Sequence, residues 1–115
     1  MPLKKPSEFY DKNPNSSFDD VGMSVHGLFI GSRNGDAWST EDRDAVFTET
    51  SRLFNSFTIM DAMGCYIGRP VPTLMIRVGS NDVQRVRELA HVLGRLTKQK
   101  EVGLETMGRF QSIKI

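Results

Sequence analysis

The sequence has little of several features that would place it in a functional class at once. It contains one cysteine, Cys65, and therefore no internal disulfide, which is typical of a reducing compartment. Its 15 Lys and Arg residues against 14 Asp and Glu give a net charge of +1, without the basic excess of a nucleic-acid-binding protein. No apolar run is long enough to span a membrane, and no signal peptide is recognisable at the N-terminus. We expect a cytoplasmic protein without nucleic-acid or membrane partners.

Metal and cofactor signals are also lacking. The two histidines, His26 and His91, form no metal-ligand spacing with Cys65 or with acidic residues, and we predict no metal and no cofactor. His26 is read as a structural histidine, and Cys65 as a small core residue because no base lies near it. The segment "GSRNGDAWS", 31–39, fits no nucleotide-binding motif. It is either a plain loop or an anion cradle with Arg33 beside a helix N-terminus.

At 115 residues the chain is long enough for one domain with its own core. Residues 1–20, rich in Pro, Asn, Ser and Asp, predict a flexible N-terminal tail, and 21–115 a single domain. The tail has two interpretations. It is a disordered leader, or an arm that lays Phe9, Tyr10 and Phe18 on a neighbouring subunit.

Hydrophobic periodicity predicts the elements of the domain. Strands are expected at 23–31, 56–66, 73–79 and from about 101 to 115 (one strand or two), with a turn at 67–72, a helix from Ser39 to about Phe54, and a second helix after Ser80, Asn81 and Asp82. The order is β-α-β-β-α-β, which predicts an α+β, ferredoxin-like sandwich: an antiparallel sheet with two helices on one face. Met60, Tyr66 and Met75 would then lie on the other face. That face is too apolar for water, so we expect subunits to cover it in a homotrimer.

The stretch "DAMGCY", 61–66, is unusual for a strand that only fills a core. Asp61 is either a ligand anchor or a turn cap, and Gly64 either lets the backbone approach a ligand or marks a bulge. Tyr66 is either the aromatic wall of a site or a tyrosine at a subunit contact. The pattern itself leaves these alternatives open.

The order of elements, D-x-x-G-C-Y at 61–66, a V-R-V-like segment at 76–78 and Q-x-x-V at 99–102 together resemble the phage-encoded S-adenosylmethionine lyases. The resemblance covers roughly residues 23–107, and a group of uncharacterised small bacterial domains shows a related D-A-x-G pattern. It implies a GlnB-like (PII-like) trimer with active sites between subunits, working in the host cytoplasm. Such an enzyme cleaves S-adenosylmethionine to methylthioadenosine and homoserine lactone, which would deprive restriction and methylation enzymes of their cofactor.

The resemblance also implies roles for individual residues. Tyr66 would be the wall beside the sulfonium, and the substrate would be bound by Asp61, Gly64 and Gln99. Arg33, from the anion-cradle interpretation of the loop 31–39, is added as a further substrate-binding candidate. The family has a glutamate near the start of the third strand, whereas "RPVPT" at 69–73 has no acid. Glu105 replaces that carboxylate only if the fold brings it to the same pocket.

Three functions remain open at this stage. The first is the lyase, and the second is a non-catalytic PII-like module that binds an adenine-containing nucleotide between subunits. The third is a trimeric interaction protein without a ligand. Formation of methylthioadenosine over time distinguishes the first from the second.

Overall fold

A computed structural model of the protein describes residues 22–115. The predicted tail, residues 1–20, with Phe9, Tyr10 and Phe18, lies outside the described residues. The described chain forms five strands and two helices. Their bounds are β1 Val25–Gly31, α1 Thr40–Leu53, β2 Phe57–Tyr66, β3 Arg69–Gly79, α2 Val83–Leu96, β4 Glu101–Thr106 and β5 Arg109–Lys114.

The strands form one sheet in the order β2-β3-β1-β4-β5, and every neighbouring pair is antiparallel. The predicted α+β class is confirmed, and the arrangement is compatible with a ferredoxin-like sandwich. It departs from the four-stranded form because the C-terminal segment makes a hairpin, which adds β5 outside β4. No helix within residues 22–115 is long and apolar enough to cross a membrane.

The first helix begins at the predicted cap, Ser39, and the second begins at Asp82, one of its three candidate caps. The Ser39 hydroxyl accepts from the Asp42 N–H at 3.1 Å, and the Asp42 carboxylate accepts from the Ser39 N–H at 3.4 Å. This reciprocal capping box satisfies two donors that the first turn of α1 leaves unpaired. At α2 the carboxylate of Asp82 accepts from the Arg85 N–H at 3.1 Å. Local hydrogen bonding thus determines where each helix starts.

The core lies between the two helices and one face of the sheet. Leu28 of β1 pairs with Ile76 of β3 on one side and Leu104 of β4 on the other, and all three are completely buried. One large apolar side chain of α1 lies outside this core. Phe47 of α1 is 57% exposed and instead contacts the ring of Phe57, with 5.1 Å between centroids.

The β2–β3 turn is shorter than the sequence predicts. The expected turn at 67–72 is wrong, because the chain turns at Ile67 and Gly68 alone, with φ of 48° and 73°. Two central residues with positive φ are typical of the tight turns that match the twist of a hairpin. β3 therefore begins at Arg69.

Prolines in the first part of β3 caused the wrong prediction. The carbonyl of Pro72 accepts from the Ser32 N–H at 2.8 Å, so the backbone hydrogen-bonding edge of Pro72 faces the β1 side of the sheet. β1 ends at Gly31, opposite Thr73. Beyond that point β3 has no strand partner on that side, and a proline removes no ladder hydrogen bond.

His26 joins three elements inside the fold. It is 1% exposed, its Nε2 lies 2.8 Å from the Ser80 carbonyl oxygen, and its Nδ1 lies 2.7 Å from the Thr106 hydroxyl. A carbonyl only accepts, so Nε2 carries a proton and donates to it. The contacts agree with the structural interpretation of this histidine.

Candidate functional site

Three of the residues singled out from the sequence share the sheet face that the helices leave uncovered, which we call the helix-free face. Tyr66 and Gly64 lie on this face of β2, and Glu105 lies on it in β4. Tyr66 is 71% exposed at the tip of the hairpin. The predicted position of Met60 and Met75 on the same face follows from the strand register, in which they pair with each other.

Tyr66 and Glu105 lie at opposite ends of that face. Tyr66 pairs with Arg69 of β3, whereas Glu105 pairs with Gly27 of β1, which pairs in turn with Arg77. The two positions therefore lie eight residues apart along β3, from Arg69 to Arg77. At about 3.3 Å per residue this separates Tyr66 from Glu105 by about 26 Å along the strands. One small ligand cannot touch both side chains of a single chain.

Around Glu105 the helix-free face is aromatic. The rings of Phe29 and Phe110 are tilted by 59° with 5.7 Å between centroids. A β-carbon at Gly27 would lie 3.3 Å from the Phe29 ring and 3.7 Å from the Glu105 carboxylate. At Gly103 a β-carbon would lie 2.7 Å from the Phe110 ring, so the glycine is what lets this ring lie on the sheet. The result is a carboxylate beside two aromatic rings.

Asp61 is on the other face of β2, the face toward the helices. Its Oδ2 lies 3.3 Å from Nη1 of Arg43, and the same nitrogen donates to the Trp38 carbonyl at 2.9 Å. The carboxylate therefore has a partner within its own chain. Asp61 and Tyr66 do not line one pocket of a single chain.

Arg33 and Gln99, by contrast, are brought together. Both line an open cleft of about 450 Å³ between the start of α1 and the end of α2, at the end of the sheet where β1 finishes and β4 begins. The cleft is lined by Ser32, Arg33, Asn34, Asp36, Ala37, Trp38, Asp42, Leu96, Thr97, Lys98 and Gln99. Antiparallel pairing of β1 with β4 places these two loops side by side.

Trp38 is the cleft residue that sequence reasoning missed. Its indole Nε1–H donates to the Pro72 carbonyl at 3.2 Å, and its ring packs against the core. A single tryptophan in a loop has no periodicity and belongs to no motif, so no signal in the sequence marked it.

The α2–β4 loop holds Gln99 in a defined position. The Gln99 N–H donates to the Gly94 carbonyl at 2.8 Å and the Lys98 N–H to that of Arg95 at 3.2 Å, the pattern of a Schellman motif. Lys98 has φ of 58°, where glycine is usual. A side chain there costs about 1–2 kcal/mol. The backbone strain of this loop is therefore located at a lysine that lines the cleft.

Cys65 is exposed, and its prediction as a core residue is wrong. Strand alternation directs it to the helix side, but it lies near the hairpin tip, beyond the part of β2 that the helix covers. Within residues 22–115 no cluster of three His, Cys, Asp or Glu side chains is arranged to hold a metal ion.

Comparison with protein-family models finds no match to this sequence, and no curated protein matches it either. Among solved structures, the chain is similar to a phage SAM lyase in the apo state. The TM-score is 0.57 at 17% identity, over 81% of this chain and 90% of the other. At this identity the likeness concerns the fold alone, and on that level it agrees with the resemblance found in the sequence.

Proposed function

We propose that the protein is an S-adenosylmethionine-degrading lyase that produces methylthioadenosine and homoserine lactone at sites between subunits of a GlnB-like homotrimer. The observation that carries the proposal is the helix-free face. It presents the exposed ring of Phe110 and the half-buried ring of Phe29 next to the carboxylate of Glu105, in a fold similar to that of a phage SAM lyase.

The chemistry requires no nucleophile from the protein. The substrate carboxylate attacks its own γ-carbon, a C–O bond forms and the C–S bond breaks. The electron pair of that bond stays on sulfur and neutralises the sulfonium, so no external reactant is needed. The protein has to fold the substrate into this geometry, which contributes about 7–11 kcal/mol in well-oriented systems.

The separation of Tyr66 and Glu105 supports a site between subunits. Because they are about 26 Å apart along the strands of one chain, we assign Tyr66 of one subunit and Glu105 of another to the same site. The phenol ring would bind and orient the sulfonium through a cation–π contact of about 0.5–2 kcal/mol, which contributes to positioning because the reaction itself removes this charge. The carboxylate would do so by its charge.

The first test is chromatography for methylthioadenosine after incubation with S-adenosylmethionine. At S-adenosylmethionine concentrations below KM we expect product from the wild type, a rate lowered about tenfold or more by Glu105→Gln because the sulfonium is bound less well, and a rate lowered by Tyr66→Leu but retained by Tyr66→Phe. Glu88→Gln, on an exposed part of α2, is the control for the charge change. Absence of product from the wild type at high concentration overturns the proposal.

Mixing the two weakened variants tests the position of the site. If Tyr66 and Glu105 act from different subunits, a fully exchanged equimolar mixture of Tyr66→Leu and Glu105→Gln regains about a quarter of wild-type activity, because random assembly pairs two intact residues at that frequency. No recovery after demonstrated subunit exchange contradicts a site shared between subunits.

One observation favours a second function, a non-catalytic PII-like trimer that binds an adenine-containing nucleotide. The hairpin segment "IGRPVPT", 67–73, contains no carboxylate where the lyases have a glutamate. A thermal shift that saturates with ligand, without methylthioadenosine over time, would select this function.

A further inference from the structure

The cleft that contains Arg33 and Gln99 has an apolar part that the core covers only partly. Leu96 is 41% exposed there although the helical pattern of α2 predicts it as a core residue, and the Trp38 ring is only partly buried. An aromatic ring and an aliphatic side chain left accessible in one concave site suit a flat, apolar ligand group.

Hydrogen bonds to both the side chain and the backbone of Trp38 hold its indole in one orientation. Its ring nitrogen donates to Pro72, and its backbone carbonyl accepts from Arg43. A ring fixed in this way need not be ordered when a ligand stacks on it, which removes part of the entropic cost of binding. Nucleic-acid bases stack on such rings in proteins.

The same cleft contains polar side chains that suit hydrogen bonds to the edge of a base. Gln99 donates one amide hydrogen to the Thr97 carbonyl at 3.3 Å, which leaves its Oε1 and a second hydrogen for a ligand. Asn34 supplies another carboxamide. Carboxamides match the donor and acceptor pair that adenine presents at N6 and N7.

Charges of both signs complete the lining. Arg33 and Lys98 are basic, and Asp36 and Asp42 are acidic. A cleft with this balance does not select a polyanion, but it suits a ligand whose remaining part carries both charges.

We propose that this cleft is the purine subsite, with the base stacked on Trp38, in contact with Leu96 and read at its edge by Gln99. The inference rests on the proposed function for the chemistry of the ligand and goes beyond it in place, since the cleft lies on the helix side of the sheet and Tyr66 and Glu105 lie on the helix-free face.

Trp38 is the only tryptophan of the chain, so intrinsic fluorescence reports directly on the subsite. The full chain is titrated with S-adenosylmethionine and with methylthioadenosine, and equilibrium dialysis measures binding in parallel. We expect a saturable fluorescence change with both ligands, at the same midpoints as dialysis. Uridine, a pyrimidine nucleoside, should give a weaker change.

Variants separate stacking from a structural role. Trp38→Leu should weaken binding in dialysis at least about tenfold, and Trp38→Phe, which keeps an aromatic ring, should restore most of it. Gln99→Leu should weaken binding of methylthioadenosine several-fold without loss of thermal stability. Gln84→Leu, on an exposed position of α2, is the matched control and should bind as the wild type.

The outcomes distinguish the two proposals. Binding seen in dialysis without a fluorescence change, or unaffected by both Trp38→Leu and Gln99→Leu, overturns the purine subsite and leaves the proposed ligand intact. Absence of binding in dialysis for both ligands overturns the subsite and the proposed function together. If Trp38→Leu does not fold, Gln99→Leu and the titration of the wild type still decide.

Discussion

The two faces of the sheet come from the same strands and differ in what covers them. On the covered face Ile76 is completely buried, whereas its neighbour Met75 on the helix-free face is only half-buried and Phe110 is 67% exposed. Side chains alternate along a strand, so one short segment supplies both surfaces. The difference shows that the covered face stabilises the single chain, and that the helix-free face is available for another subunit or a ligand.

The largest effect is expected from Ile76→Ala. It removes a completely buried side chain between β1 and β2 and should lower the free energy of unfolding by about 2–5 kcal/mol, measured by urea denaturation. The adjacent Met75→Ala is the control. At low protein concentration Met75→Ala should lower the free energy of unfolding clearly less than Ile76→Ala does. An equal loss would mean that the two faces contribute alike to the stability of the single chain.

His26→Leu should have the next largest effect. It leaves the Thr106 hydroxyl and the Ser80 carbonyl without their buried partner, which lowers the free energy of unfolding by about 1–3 kcal/mol. His91→Leu, at a half-buried position of α2, should change it less. An unchanged free energy of unfolding for His26→Leu would show that packing, rather than these hydrogen bonds, stabilises the start of β1.

Changes on the helix-free face should affect assembly more than folding. The double variant Met60→Ser, Phe110→Ser alters exposed positions and should change single-chain stability by less than about 1 kcal/mol. Light scattering should show a trimer for the wild type and a smaller species for the variant. A monomeric wild type at micromolar concentration would refute the role we give to this face.

Asp61→Asn should have the smallest effect on stability. Its pair with Arg43 is solvent-exposed, and exposed pairs contribute at most about 1 kcal/mol. Arg43→Gln should lower stability more than Asp61→Asn, because it also removes the hydrogen bond to the Trp38 carbonyl. A large loss of ligand binding in Asp61→Asn, with stability unchanged, would return this residue to the site that the sequence pattern indicated.

Sequence reasoning succeeded where the signal is local. The cap Ser39 was predicted correctly, and the cap Asp82 was among three predicted candidates, because each bonds to a backbone N–H three residues away. The turn at 67–72 was misplaced because the effect of Pro72 depends on where another strand, β1, ends. Cys65 was misassigned for a similar reason: alternation gives the face of a strand but not how far a helix extends over it.

The candidate site could be predicted only in part. Arg33 and Gln99 were identified one by one, but only the pairing of β1 with β4 brings their loops together. Trp38 carried no pattern at all, and its role depends on contacts with Pro72 and Arg43. The two roles assigned to Tyr66 and Glu105 are predictions that the activity measurements above will decide.

The amino-acid sequence by itself determined the order of the elements, the caps of both helices and the α+β class, since periodicity and capping act over a few residues. Only the tertiary structure decided which face each side chain occupies relative to the helices, that a fifth strand extends the sheet, and that a cleft forms between two loops distant in sequence. Those features depend on long-range strand pairing, whose register is determined by burial across the whole sheet rather than by any short segment.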